Sequence, residues 1–192
     1  MTQGISLIAG LGNPGPEYAE TRHNAGFRFL DALIVGCGVW RHEARFGARI
    51  ARAAIAEREV WLLCPEGFMN HSGEAVGQLA RYYKIPPEQI LIVHDELDLS
   101  PGAARLKFGG GDGGHNGVAD VIEKLGSKDF HRLRIGIGHP AASADVVSYV
   151  LKKPSKADRA LIDAAIQDVL AQIDAIVHGR MQKAMNALHS HR

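Results

Sequence analysis

The 192-residue chain carries only two cysteines, Cys37 and Cys64, each inside an apolar stretch. Both read as small buried hydrophobes, which excludes a disulfide-stapled scaffold or a cysteine-rich metal site. Neither sign of charge dominates: 22 Lys and Arg against 21 Asp and Glu leave a formal +1. Any contact with nucleic acid therefore has to come from a local basic patch. No apolar run approaches the roughly 20 residues that span a bilayer. The N-terminus lacks the basic segment, apolar core and cleavage site of a secretory leader, so a cytoplasmic protein is expected. Repeats, low-complexity tracts and long linkers are absent, and the length suits a single domain over residues 1–192. Missing motifs narrow the chemistry as well. There is no G-x-S-x-G elbow and no lone cysteine with a partner motif, which favours a water nucleophile activated by a base over a covalent intermediate. His94, Asp95, Asp98, Asp112, His115 and His139 are ligand types, but none shows H-x-x-x-H or C-x-x-C spacing, so no metal is expected.

What is present is a globular pattern, with 46% hydrophobic residues to build a core. Ile5–Leu11 reads as a buried strand stopped by Gly12-Asn13-Pro14-Gly15. Phe27, Leu30, Leu33 and Ile34 recur at helical spacing within Asn24–Val35, with Gly36 and Gly38 as caps. Ala48–Ile55 and Val60–Leu63 read as two strands joined near Glu57–Glu59. A helix is predicted over Ser72–Tyr83, ended by Pro86-Pro87. Ile90–Val93 reads as a central strand with His94-Asp95-Glu96 at its carboxyl end. Ala103–Phe108 alternates and leads into the glycine-rich stretch Gly109–Gly117. Helix is predicted over Val118–Leu125, strand over Leu133–Ile137 and helix over Ser143–Leu151. Ile162, Ile166, Val169, Leu170, Ile173, Ile176 and Val177 form one stripe and predict a single long terminal helix. Strands alternating with helices imply a three-layer α/β domain. The hairpin-like spacing of residues 48–63 makes its central sheet mixed, flanked by helices.

Polar residues collect where strands end: Asn13 and His23, Asn70, Asp95, and His115-Asn116. Loops beyond the carboxyl ends of strands are where α/β sheets gather binding and catalytic groups. A His beside an Asp makes a base–orienter pair, and Asn amides hold a carbonyl, a water or a developing oxyanion. Each residue taken alone also has a plainer reading. The Gly12–Gly15 segment is a turn, His23 a helix-entry residue, Asp95 a strand-end cap and Asn70 a helix cap. Gly109–Gly117 reads as a mobile loop or as a phosphate cradle of backbone N–H groups, but it lacks the lysine and Ser/Thr of a P-loop. Taken residue by residue, these features describe only a hydrolase-like α/β domain.

The segments taken together go further. "LIAGLGNPGPEYAETRHNAGF" (Leu7–Phe27), "FMNHSG" (Phe68–Gly73), "ILIVHDELDLSPG" (Ile90–Gly102), "GGGDGGHNG" (Gly109–Gly117) and "FHRLRIGIGHP" (Phe130–Pro140) occur in this order across nearly the whole chain. In this the chain resembles the bacterial peptidyl-tRNA hydrolase family. The resemblance implies hydrolysis of the ester joining a peptide to the 3′ ribose of tRNA. It assigns His23 as the base that activates water and Asp95 as the carboxylate that orients it. Asn13, Asn70 and Asn116 become the amides that position carbonyl, peptide and water, while Tyr18 and Met69 line the site near the tRNA 3′ end. It also implies a monomer, with no cofactor, whose partner is peptidyl-tRNA. Arg105, Lys107, Arg132 and Arg134 are expected near the cleft for phosphate contact; Arg132 and Arg134, two apart on a strand, share one face. A solvated strand face is the competing reading for either residue singly.

Three departures from the family pattern stand out. Glu66-Gly67 precedes Phe68 where many relatives carry a small hydroxyl residue. Asp112 replaces a histidine of some relatives, and Arg105 a frequent lysine, which changes phosphate geometry. Two other function classes stay open at this level. One is a non-catalytic RNA-binding module, which retention of His23, Asp95, Asn13 and Asn70 argues against. The other is a nucleoside- or nucleotide-processing enzyme that uses the glycine loop for phosphate.

Overall fold

In the computed structural model, which describes residues 3–141 and 144–189, four consecutive buried residues make β1 (Leu7–Gly10) the centre of the sheet. Its neighbours are β4 (Arg58–Pro65) and β5 (Ile90–Glu96), both parallel to it. A strand flanked on both sides and covered on both faces has no solvent-facing positions, which is why Leu7-Ile8-Ala9 does not alternate. The remaining strands are β2 (Arg41–Glu43), β3 (Ala48–Ile55), β6 (Ala104–Phe108) and β7 (His131–Gly136). The order is β2-β3-β4-β1-β5-β7-β6. A parallel centre is thus flanked by antiparallel pairs at both edges, as a mixed sheet requires. The chain leaves β1 toward β4 and later returns on the other side to β5. The carboxyl end of β1 is therefore a topological switch point, where open α/β sheets leave a crevice.

Helices cover both faces. On one side, α1 (Ala25–Leu33) and α5 (Lys156–Leu170) bury Phe29, Leu30, Ile162, Ile166 and Val169 against Ile8, Leu91, Val93 and Leu133. On the other, α2 (Ser72–Tyr82) and α3 (Asn116–Leu125) bury Val76, Leu79, Val118 and Val121 against Leu7, Ala9, Ile90 and Ile92. Two glycines permit the approaches that shape the site. A Cβ on Gly26 would fall 2.4 Å from the Val93 carbonyl and 2.5 Å from the Leu11 nitrogen, so only glycine lets α1 settle on β1 and β5. A Cβ on Gly73 would fall 2.2 Å from the Asp120 carbonyl, and Gly73 N donates to Asp120 Oδ2 at 2.8 Å. That contact locks the start of α2 to the middle of α3.

The hairpin turns at Ala56-Glu57, both with positive φ (49° and 65°). This two-residue turn places Arg58 opposite Ile55, slightly earlier than the joint expected near Glu57–Glu59. The expected single terminal helix is broken. α5 stops at Leu170, Gln172 leaves helical geometry (φ −104°, ψ 8°), and α6 (Ile173–Val177) follows. The stripe is real, but its halves serve different neighbours. Ile162, Ile166 and Val169 press on the sheet, while α6 ends where Val177 O accepts from Ile5 N at the entrance of β1. A further helix, α7 (Met181–His189), and the three-residue β2 were not anticipated. α4 occupies Val146–Val150, capped by the Asp145 carboxylate on Val147 N. Ser143, where that helix was expected to start, lies outside the described residues.

Candidate active site

The approach of Gly26 to the ends of β1 and β5 sets a 3-10 turn, Arg22–Asn24, over the carboxyl end of β5. His23 Nδ1 there lies 2.9 and 3.1 Å from the two Asp95 carboxylate oxygens. The turn is also tied to α4. Arg22 stacks 3.9 Å above the Tyr149 ring, its Nη1 donates to Tyr149 O at 2.9 Å, and its backbone N donates to Lys152 O at 3.0 Å.

A second histidine reaches the same carboxylate. His115 Nε2 is 2.7 Å from Asp95 Oδ1, while His115 Nδ1 caps α3 by accepting from Gly117 N and Val118 N. An imidazole nitrogen that accepts two N–H groups carries no proton, so His115 is the neutral Nε2–H tautomer and donates to Asp95. Asp95, only 3% exposed, therefore receives a donor from each histidine. Burial would raise its carboxyl, but the contacts with His115 and then His23 outweigh that and hold it well below the usual carboxylate range. The anion in turn fixes the proton of His23 on Nδ1. His23 Nε2 is left without a hydrogen bond among the described residues, on a side chain that lines the cleft.

Beneath this pair, His94 Nδ1 donates to the Asp95 backbone carbonyl at 2.8 Å and its Nε2 accepts from Arg132 Nε at 3.3 Å. Burial, with the Arg132 cation beside it, pushes the His94 imidazole down to about 3, so the ring stays neutral. Arg132 Nη1 continues the chain to the carbonyls of Gly109 and Gly111. The glycine loop is thereby anchored to the strand that carries Asp95.

The amides converge from three elements. Asn13 follows β1, and its Oδ1 accepts from Met69 N at 2.7 Å. Asn24 clamps Asn13 from both sides: its Oδ1 accepts from Asn13 N and its Nδ2 donates to Asn13 O, each at 2.9 Å. With Oδ1 occupied, Asn13 offers its NH₂ end. Asn70 lies in the 3-10 turn Met69–His71 before α2 and Asn116 opens α3; both are exposed on the cleft. Asn70 is not the cap of α2, which begins after His71 without a side-chain cap. The cleft measures about 310 Å³ and joins Asn13, His23, Asn70, Asp95, His115 and Asn116 to an apolar wall of Phe68, Met69, Val146, Val147 and Val150. Tyr18 stands behind that wall, its ring edge-on to Phe68 at 6.3 Å.

Arg105, Lys107, Arg132 and Arg134 share one face, since Arg105 opposes Arg134 and Lys107 opposes Arg132 across β6 and β7. Their environments differ. Arg134 pairs with Glu96 at 3.3 Å and keeps a buried Nε–H without a partner. Lys107 is exposed, Arg105 is half-buried and its Nη1 donates to Ala104 O. Arg132 is 3% exposed, and its donors serve His94 and the glycine loop. The expectation that it faces phosphate is corrected: it is a buried loop anchor, because the loop folds back over it.

Two of the departures acquire definite contacts. Glu66 pairs with His42 at 2.7 Å, away from Asn70. Asp112 Oδ1 accepts from Gly114 N at 2.7 Å and its carbonyl accepts from His115 N, so it shapes the turn that delivers His115. Sequence reasoning named His115 only within the strand-end cluster and as a ligand type, and it gave Asn24 and Arg22 no role. His115 and Asn24 each adjoin a motif residue that was given one, in Gly-His-Asn-Gly and His-Asn. Adjacency was the available signal, but the partners lie 20 and 11 residues away. His23, Asp95 and His115 offer ligand atoms within 4.8 Å of one another. They suit a proton network better than a metal, because the His115 nitrogen facing the cluster carries hydrogen.

The family described as Peptidyl-tRNA hydrolase matches residues 7–192. A peptidyl-tRNA hydrolase of Neisseria meningitidis serogroup B is 51% identical over 191 residues, covering 99% of this chain and 100% of that one. One from Tolumonas auensis is 51% identical over 192 residues, covering 99% and 98%. The crystal structure of peptidyl-tRNA hydrolase from Acinetobacter baumannii superposes with a TM-score of 0.94 at 45% identity, covering 98% of this chain and 96% of that one.

Proposed function

Because the chain belongs to the peptidyl-tRNA hydrolase family, we propose that it cleaves the ester between peptide and tRNA with a water molecule activated at His23 Nε2. The activity is that of a hydrolase on peptidyl-tRNA. The observation that carries it is the pair of donors on the buried Asp95 carboxylate, which leaves His23 Nε2 as the unengaged base on the cleft wall. Water positioned there loses its proton to Nε2 as its oxygen attacks the ester carbonyl. Asp95 stabilises the imidazolium that forms. The proton then passes to the departing 3′ ribose oxygen, so free tRNA and a free peptide carboxylic acid leave the enzyme. Amide N–H groups from Asn13, Asn70 and Asn116 hold the carbonyl and its developing negative charge. Met69 and, one ring behind, Tyr18 border the place of the terminal ribose.

Phosphates fall to Arg105, Lys107 and Arg134, while Arg132 supports the loop from beneath. The reading takes residues 1–192 as one domain, a monomer that works in the cytoplasm without a cofactor or metal. Among the described residues no helix is long and apolar enough to cross a membrane. Cleavage of N-acetyl-aminoacyl-tRNA tests the mechanism, with His23→Ala as control. Turnover should fall at least ~10³-fold while tRNA binding and fold persist. Comparable turnover by the variant would remove His23 as the base.

A further inference from the structure

The bond cut here joins a polyanion to a peptide, so the two parts of the substrate must leave the site in different directions. Along the sheet the cations stand on β7 and β6, to one side of the cleft. On the opposite side, toward β4 and β3, lies a larger groove of about 880 Å³. Asn13 lines both spaces, so the two meet at its side chain. The cleft and the groove both lie within or near the range of ligand-sized pockets, roughly 300–1,000 Å³. The cleft suffices for the ester and its nearest residue, and the groove for a longer segment.

The charges of the groove decide which part of the substrate it suits. Asp31, Glu66 and Asp163 face it against Arg28 and Arg49, a formal −1. Arg28 is committed to Asp163 through two contacts of 2.7 and 3.1 Å. Arg49 lies over the Phe27 and Trp40 rings and 3.7 Å from Asp31. Such a surface offers a phosphate backbone no net positive charge and no free guanidinium to hold it.

We propose that this groove is the distal-peptide site, which receives the residues of the peptide beyond the one esterified to tRNA. The proposal rests on the peptidyl-tRNA reading above. RNA enters over β6 and β7, the ester sits at the switch point, and the peptide runs past Asn13 between α1, α5 and the end of β4. The acidic balance gives basic peptides the advantage over acidic ones.

The test compares tRNA carrying one N-acetyl amino acid with tRNA carrying an N-acetyl octapeptide. For the wild type, KM should be at least about five-fold lower for the octapeptide. A Lys-containing octapeptide should bind more tightly than a Glu-containing one, less so at high salt. Equal KM for short and long substrates, or no response to peptide charge, overturns the proposal without any variant. Ala19→Trp and Gln167→Trp, both at exposed positions on the groove, should erase most of the octapeptide advantage. They should leave kcat/KM for the short substrate within about two-fold. Equal losses on both substrates would also overturn the site. Absence of cleavage of the short substrate by the wild type would instead sink the active-site reading.

Discussion

His115 serves two partners at once, and two substitutions separate them. Its Nδ1 caps α3 while its Nε2–H holds Asp95 Oδ1 at 2.7 Å. His115→Asn keeps a good capping oxygen but is too short to reach the carboxylate. It should cost about 1.5–3 kcal/mol of stability, the scale of a lost hydrogen bond to a buried charged group. Asp95 would then have one donor, and burial would push its carboxyl upward. The orientation and charge stabilisation of His23 weaken together, so kcat should fall roughly 10–100-fold, or about 1.4–2.7 kcal/mol. His115→Gln reaches Asp95 with its amide but caps poorly. It should cost about 1 kcal/mol while retaining most activity. Urea denaturation supplies the stabilities and cleavage of N-acetyl-aminoacyl-tRNA supplies the rates. A depressed carboxylate contributes stability that is present above its unfolded value and lost as pH falls. With that depression reduced, acid unfolding of His115→Asn should begin at higher pH than in the wild type. Full activity in His115→Asn with an unshifted acid limb would refute the two-donor account of Asp95.

The neutral His94 makes stability pH-dependent near neutrality. Its folded value of about 3 lies below the ordinary imidazole value, so the unfolded chain binds the proton first and stability declines as pH falls below about 6.5. Between pH 7 and pH 5 the loss should be about 2 kcal/mol, and equal urea midpoints at the two pH values would contradict it. Gly26→Ala should leave little folded protein by circular dichroism, since the added Cβ meets two backbone groups of the central strands; a stable, active variant would show that α1 can shift away. Arg134→Ala should reduce the salt dependence of tRNA binding by about one phosphate contact with the fold intact. Arg132→Ala should chiefly lower stability, because it orphans the Gly109 and Gly111 carbonyls. Equal effects of the two substitutions on the salt slope would restore Arg132 to the RNA surface.

Local information in the chain determined most of the elements. Buried runs, helical stripes and Pro or Gly punctuation placed β1, β5, α1, α2 and α3 to within a few residues. Motif order carried His23, Asp95, Asn13, Asn70 and Asn116, which the fold brings to one cleft. Where the signal was weak or ambiguous, it failed for physical reasons. β2 has no apolar pattern because it is an exposed edge. The stripe from Ile162 to Val177 gave no sign of the break at Gln172, because both halves are apolar and only their neighbours differ. Pairing across the sheet was beyond reach. Nothing in the periodicity says that β1 lies between β4 and β5, and that order creates the switch point and separates the cationic edge from the acidic groove. The sequence likewise ranked Arg132 and Arg134 alike, since alternation sets only the face on which a side chain lies. The glycine loop, folding back from a different part of the chain, buries one guanidinium and leaves the other with an unpartnered donor. His115 donates to Asp95 rather than ligating or idling because the first N–H groups of α3 take the lone pair of its other nitrogen. That choice of tautomer exists only once a helix start and a strand end meet in three dimensions.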